Sequence, residues 1–308
     1  MTGRADASSL DEPALLEVVL DAKVRQLAPT LGRWFDDELA EAYRASCALP
    51  GTTAADFRNR WLELPGVGHA LVGIRFERGD LARPFIDVVA TTKALLTADE
   101  HRLLNEPLAR HFAPFAPGYV QHFVPSHVAL DLAALGGEAA WKQRFLALPI
   151  ATMRRLPVPS GYERVALTAP PNLDFYPRYV AVYDELHEQR PAHREYAWAE
   201  TREDLADFAA DEALFEVLVD GQWAGIVAGI RNEEQGLRGF VVTEIVLSRA
   251  FRGQGLGAAV QRRFVEALPT PEGGIFYGII HADNRAAIAT AKRSGREDVG
   301  GYLWLALR

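Results

Sequence analysis

The chain has 308 residues and a mass of 33.9 kDa, enough for two domains of ordinary size or one large one. Its 49% hydrophobic and 24% charged residues suit a packed globular protein and exclude disorder as the main state. A formal charge of −8 disfavours a general nucleic-acid binder, and the single cysteine, Cys47, excludes an internal disulfide and a cysteine-based metal cluster.

The first 65 or so residues read as helical. Leu15, Leu16, Val19, Leu20, Val24 and Leu27 recur at spacings of three and four, and the pattern continues over 34–49 and 54–64 around Pro50-Gly51. Strands are expected at 70–75 and 85–90, and a helix over 97–111 opening on Thr97-Ala98-Asp99-Glu100, a capping box. A strand at 119–124 and a helix at 138–148 follow. Pro149, Pro157, Pro159 and Gly161 then suggest a linker, with domains of 1–157 and 158–308. In the second half a strand at 163–167 precedes helices at 174–187 and 201–210. Strands at 214–219 and 223–230 meet at Asp220-Gly221, a hairpin turn. The remaining expectations are a strand at 240–247, a helix at 256–268, a strand at 274–280, a helix at 284–293 and a closing strand at 302–307.

The informative segment runs from Glu244 to Ala258, EIVLSRAFRGQGLGA. An apolar strand enters a glycine-rich turn and then an amphipathic helix. Glycines let the backbone approach a ligand closely, and the first amides of a helix point outward with the positive dipole end. A phosphate or pyrophosphate fits such a place. Read as G-x-G-x-x-G/A, Gly253, Gly255 and Ala258 match a dinucleotide fingerprint. That reading wants an acidic residue about 20 positions on. The next one at a strand end is Asp283, thirty positions after Gly253, and only one further β-α-β unit remains.

Arg252-Gly253-Gln254-Gly255-Leu256-Gly257 also matches Q/R-x-x-G-x-G/A. In this the segment resembles the pyrophosphate signature of the GNAT superfamily of N-acetyltransferases, and the element order on both sides agrees over about 158–308. The resemblance implies a mixed-sheet α/β fold that binds acetyl-CoA as co-substrate. It implies that Ile245, Val246 and Leu247 pair with the pantetheine arm and that a Leu247 amide faces the thioester carbonyl. Arg252, Gly253, Gln254, Gly255, Leu256, Gly257 and Ala258 would hold the pyrophosphate. Asn284 would lie near the thioester, or simply cap its helix, since Asn is among the best caps. The family's usual acid, a tyrosine seven residues after that Asn, is Ala291 here. Tyr302 and Tyr277 are the nearest replacements by type, and the thiolate can also leave unassisted. The aromatic usual after the last glycine is Arg296.

Glu244 stands alone among apolar strand residues and is the candidate general base, a buried carboxylate otherwise explained only by an ion pair or a strand end. His281, beside Asp283, is the second candidate. No histidine pair has the spacing of a metallohydrolase, so no metal is expected. The expected acceptor is a small-molecule or peptide amine, with a homodimer left open, and an acyl-CoA-binding sensor without turnover is the alternative. With no apolar run of about 20 residues and no apolar leader after Met1, neither membrane nor nucleic acid is an expected partner, and the expected location is cytoplasmic. The first half has no glycine motif. Yet Phe85 and Tyr119 stand 34 apart, as do Val241 and Ile275, which suggests a degenerate copy of the same fold in tandem; an unrelated accessory domain is the alternative.

Overall fold

The computed structural model describes residues 37–269 and 274–307. The helical stripe from Leu15 to Val24 and Leu27 lies outside the described residues. Two units emerge, one holding residues 144–298, the other reaching to residue 143 and taking back residues from 299 onward.

In the unit of residues 144–298, β6 (Val165–Thr168), β7 (Leu214–Val219), β8 (Gln222–Glu234) and β9 (Leu237–Leu247) form an antiparallel meander. β10 (Ile275–His281) joins β9 in parallel, and β5 (Ala139–Pro149) lies beside β10. Parallel strands need a crossover, here helix α8 (Gly257–Ala267). The other unit repeats this plan. β1 (Arg60–Leu64), β2 (Gly68–Phe76) and β3 (Pro84–Thr91) are antiparallel, β4 (Tyr119–Pro125) is parallel to β3, and β11 (Glu297–Ala306) is antiparallel to β4. Its crossover holds two short helices, α3 (Ala98–Arg102) and α4 (Asn105–His111), where one was expected. The α/β class and mixed sheet are therefore as the resemblance implied, and β7, β8, β9, β10 and β5 follow the same order as β1, β2, β3, β4 and β11, that of a tandem repeat, with β6 additional. The parallel registers differ slightly: Phe85 pairs with Tyr119, but Ile275 pairs with Gly239 and not Val241.

Three expectations are corrected. Residues 138–148 form strand β5, not a helix. Phe145 to Leu148 are buried consecutively, the pattern of a strand covered on both faces, which periodicity cannot tell from a buried helix. Residues 54–64 form a one-turn helix, α2 (Ala54–Phe57), and then β1. The division at 157/158 is not where the chain divides, because β5 and β11 each join the unit built mainly from the other half of the sequence. The proline-rich stretch is no linker. It contains α5 (Ile150–Arg155), whose Ile150 and Met153 are core residues. Arg154 donates to Val265 O and Leu268 O at the C-terminal end of α8, and Arg262 on α8 donates to Met153 O, Arg154 O and Leu156 O of α5. Each cation thus satisfies the carbonyls the other helix leaves unpaired.

Local signals held where caps and turns carried them. Thr97 makes the expected capping box, and Thr201 makes another with Asp204, opening α7 (Arg202–Ala210). Asp220 and Gly221 both take positive φ, 50° and 78°, as a two-residue hairpin turn requires.

In the unit containing β3 and β4, the parallel ladder ends at Val88 and His122. There His122 Nε2 and His101 Nδ1 lie 2.7 Å apart, both rings buried. Burial pushes the His101 pKa down to about 4, partly opposed by Glu100. His101 thus takes up a proton less readily when folded than unfolded. Its contribution to stability is complete above pH ~6.5 and is lost as pH falls from there toward 4, at up to ~1.4 kcal/mol per pH unit. Denaturant titrations across this range should show the loss, and His101→Gln should flatten it.

Candidate active site

β9 and β10 pair at only three positions, ending at Tyr277 and Val241. Beyond that point the ladder stops, and Val242 to Leu247 and Gly278 to His281 share no pair; this unpaired stretch between the strands is called the wedge. Which backbone groups of β9 enter the wedge follows from its other edge. The Val246 carbonyl approaches β8 so closely that a Cβ on Gly225 would sit 1.9 Å from its oxygen. Strand alternation then turns Ile245 and Leu247 toward β10. Of the three residues expected to pair with an extended ligand, Val246 is therefore corrected, because it is committed to β8. Leu247 is half committed, since its carbonyl accepts from Arg252 Nε at 2.6 Å.

Glu244 owes its orientation to a β-bulge. Ala228 on β8 opposes Glu244, the next residue Gly229 opposes Val242, and Thr243 is the extra residue. Regular alternation would put Phe240, Val242 and Glu244 on one face. Instead Phe240 and Val242 pack with α8, while Glu244 points to the opposite face, at helix α6 (Tyr176–Gln189). Gly229 permits the distortion, since a Cβ there would lie 2.5 Å from Val241 O.

The Glu244 side chain is almost wholly buried, 3% exposed. Its carboxylate accepts from Tyr179 Oη at 2.5 Å and Tyr183 Oη at 2.7 Å, and the Glu200 amide donates to Tyr179 Oη at 2.7 Å. Desolvation raises its pKa to about 8, against the lowering effect of the two tyrosines and the Ile245 amide. It has no cationic partner among its interactions, so the ion-pair explanation for a carboxylate in this strand is set aside. Burying such a group without partners would cost several kcal/mol; a hydrogen bond to a charged group returns ~1.5–3 kcal/mol. The tyrosines stand four apart on α6, which puts both hydroxyls on the face that meets the carboxylate.

After β9 the chain makes a short 3-10 turn at Arg249–Phe251 and enters the glycine loop. Gly253 and Gly255 both have φ of 76°, and a Cβ on either would meet nothing within 4 Å. The loop is thus an open cradle whose wall is backbone, followed by the unpaired first amides of α8. The other motif residues divide differently than expected. Gly257 serves helix packing: a Cβ there would lie 2.5 Å from Thr290 of helix α9 (Arg285–Arg293). The side chains of Leu256 and Ala258 are core. Arg252 turns inward to Leu247 O and Val182 O, pinning the loop to α6. Gln254 joins Arg164 and Ala250 O. Of these five, Gly257, Leu256, Ala258 and Arg252 have no side chain turned outward, so what they offer an anion is backbone.

Asn284 accepts from the Ala287 amide at 3.2 Å, so it caps α9. His281, at the end of β10, stacks on Tyr196 with centroids 4.6 Å apart and accepts from the Asp283 amide. Tyr302 lies on β11, edge-on to Phe123, in the other unit, and is not part of the Glu244 group. Tyr277 is buried in β10. Among the described residues no set of three His, Cys, Asp or Glu could hold a metal ion, and no helix is long and apolar enough to cross a membrane.

Residue reading missed Arg296 as a charge in the core. It is 3% exposed, Nε and Nη1 find no hydrogen-bond partner among the described residues, and its guanidinium lies 5.0 Å from the centre of the Phe276 ring. A cation–π contact gives ~0.5–2 kcal/mol, less than the several kcal/mol that burying the charge costs.

Residues 179–295, a little over a third of the chain, match the model of the Acetyltransferase (GNAT) family, and this stretch is a GNAT domain. Solved structures similar to the chain include a GCN5-related N-acetyltransferase from Sphaerobacter thermophilus, with 14% identity, TM-score 0.49, and 93% and 92% of the two chains covered. Another is a GCN5-related N-acetyltransferase from Kribbella flavida, with 13% identity, TM-score 0.46, and 88% and 94% covered. A third is a tandem GNAT protein from the clavulanic acid biosynthesis pathway, with 15% identity, TM-score 0.43, and 88% and 95% covered. Comparison with curated proteins gives no match.

Because both tyrosine hydroxyls hold the charged form of Glu244, removing one raises its pKa further above about 8. Tyr183→Phe should move the Glu244 carboxyl titration upward by about one unit in carbon-13 NMR and cost ~1–3 kcal/mol of stability. An unmoved titration would show that the hydroxyl does not bear on the carboxylate.

Proposed function

We propose that the unit containing β9 transfers an acyl group, acetyl in the simplest case, from acyl-CoA to a primary amine by direct attack in a ternary complex. The observation that carries this is the wedge between β9 and β10 with a glycine cradle at its open end and a buried carboxylate beside it. The group fits the residues present. Gly253 and Gly255 leave room that any side chain would fill, the first amides of α8 are donors, and Ile245 presents its backbone to the wedge. Bound there, acyl-CoA supplies an activated thioester. Glu244 takes the proton of the ammonium form of the acceptor, through its carboxylate or one water. Tyr179 and Tyr183 fix that carboxylate, and the bulge aims it away from the α8 face. The Leu247 amide at the wedge edge would polarise the thioester carbonyl, the Ile245 amide being engaged with the Glu244 carboxylate.

Ala291, fully buried, stands where the family's usual acid would be. This favours a second reading, an acyl-CoA-binding sensor without turnover. Thiol release across a panel of small amines and peptide N-termini separates the two: release above the amine-free rate supports transfer, and tight binding without release supports the sensor.

Gly255→Val should abolish acetyl-CoA binding in calorimetry while the protein remains folded, since the side chain enters open space, at φ of 76° with some strain. Retained affinity would refute the cradle assignment. The loop from Thr92 to Thr97 between β3 and α3 has no glycine, so wild-type protein should bind one equivalent per chain.

Glu244→Gln should lower kcat by ~10²–10⁴ at neutral pH with little change in acetyl-CoA affinity. Because Glu244 must be ionised to accept a proton, kcat/KM for wild type should rise about tenfold per pH unit up to about 8 and then level. The variant should lack that limb and recover as pH nears the amine's own pKa. A variant that melts earlier yet turns over normally would make Glu244 structural.

A further inference from the structure

The opening between β9 and β10 has a direction. Its wide end meets the glycine loop from Arg252 to Gly257, and its narrow end is the last ladder pair, Tyr277 and Val241. Reading inward along β9, the chain passes Leu247, Ile245, Glu244, the bulge at Thr243 and then Val242. A ligand held by its pyrophosphate at the loop and deprotonating its partner at Glu244 therefore carries the far end of its acyl chain toward Val242 and Gly278.

Arg296 waits at that end. Its Nη1 lies 2.6 Å from where a Cβ on Gly278 would stand, and Val242 Cγ1 lies 3.1 Å from the same point. Gly278 is the first residue of β10 beyond the ladder, and only its lack of a side chain admits the guanidinium. The group arrives on the face of Phe276 and Val242, opposite the face of Glu244. Amine and acyl tail thus approach the wedge from opposite sides of the sheet. No carboxylate contacts Arg296 among the described residues, and Nε and Nη1, donors on two different edges of the guanidinium, are unpaired. Desolvation alone depresses its pKa, to about 9, which is consistent with the lack of an anionic neighbour. The Phe276 ring offers a weak attraction and no hydrogen-bond acceptor for the guanidinium.

We propose that Arg296 receives a carboxylate at the far end of the acyl chain, so that the preferred donor is the CoA thioester of a short dicarboxylic acid such as succinate. This rests on the acyl-CoA reading above and narrows its donor. The carboxylate neutralises the buried cation in the complex, and an acetyl group leaves it uncompensated.

Calorimetric affinities for free CoA, acetyl-CoA, n-butyryl-CoA and succinyl-CoA test this without turnover. Butyryl matches succinyl in chain length and lacks the charge. Wild type should bind succinyl-CoA at least about tenfold more tightly than either neutral ester. Arg296→Met should erase that preference while leaving acetyl-CoA affinity within about twofold, and Arg296→Lys should keep part of it. Should the Met variant not fold, the wild-type ranking and the Lys variant decide. Equal or weaker binding of succinyl-CoA by wild type, with CoA and acetyl-CoA still bound, overturns the proposal and leaves the acyl-CoA reading standing. A loss of free CoA affinity in Arg296→Met as large as the loss for succinyl-CoA also overturns it. Failure of every thioester to bind overturns both.

Discussion

One extra residue in β9 governs the candidate site. Without the bulge at Thr243, Glu244 would follow Phe240 and Val242 onto the face packed by α8, where an ionised carboxylate would sit among Phe264, Val260 and Phe276. With it, the carboxylate faces Tyr179 and Tyr183, and the two hydroxyls make its burial tolerable. Several other features answer to that single shift. Gly229 exists without a side chain so that β8 can follow the distortion, and the β9–β10 ladder ends close to the bulge, at Val241. The end of the ladder and the buried carboxylate are thus set at the same place in the strand.

The glycine motif divides its labour in a way its pattern does not announce. Gly253 and Gly255 take left-handed backbone and line open space; Gly257 lets α9 approach α8. Arg252 spends its charge on two carbonyls, Leu247 O and Val182 O, and so fixes where the loop leaves the strand. Arg252, Leu256 and Ala258 turn their side chains inward, while Gln254 stays at the surface with Arg164 and Ala250 O.

The second unit has the same strand order but a different filling. At the end of its parallel ladder stands the His101–His122 pair, and its crossover helices are short and preceded by Thr92 to Thr97, with Leu95 buried. That loop contains no glycine. The strand order of the repeat is kept there without the cradle.

The residues alone determined most elements of the second half, the hairpin at Asp220-Gly221, the capping box at Thr97, the glycine turn at Gly253 and Gly255, and Glu244 as a buried carboxylate. These are local: each rests on a turn conformation, a cap or one polar group in an apolar run. Only the tertiary structure decided the rest. Residues 139–149 became a strand because neighbours from distant sequence cover both of its faces, and β11 left its own half to pair with β4. Tyr302 went with it into the other unit. Val246 was lost to β8, Asn284 and Arg252 were taken by backbone groups, and Tyr179, Tyr183 and Arg296 acquired their meaning from strands far along the chain. The reason is common to all of them. Which face a side chain takes depends on register, and one bulged residue reverses it, while the partner a polar group finds depends on long-range packing that no local pattern encodes.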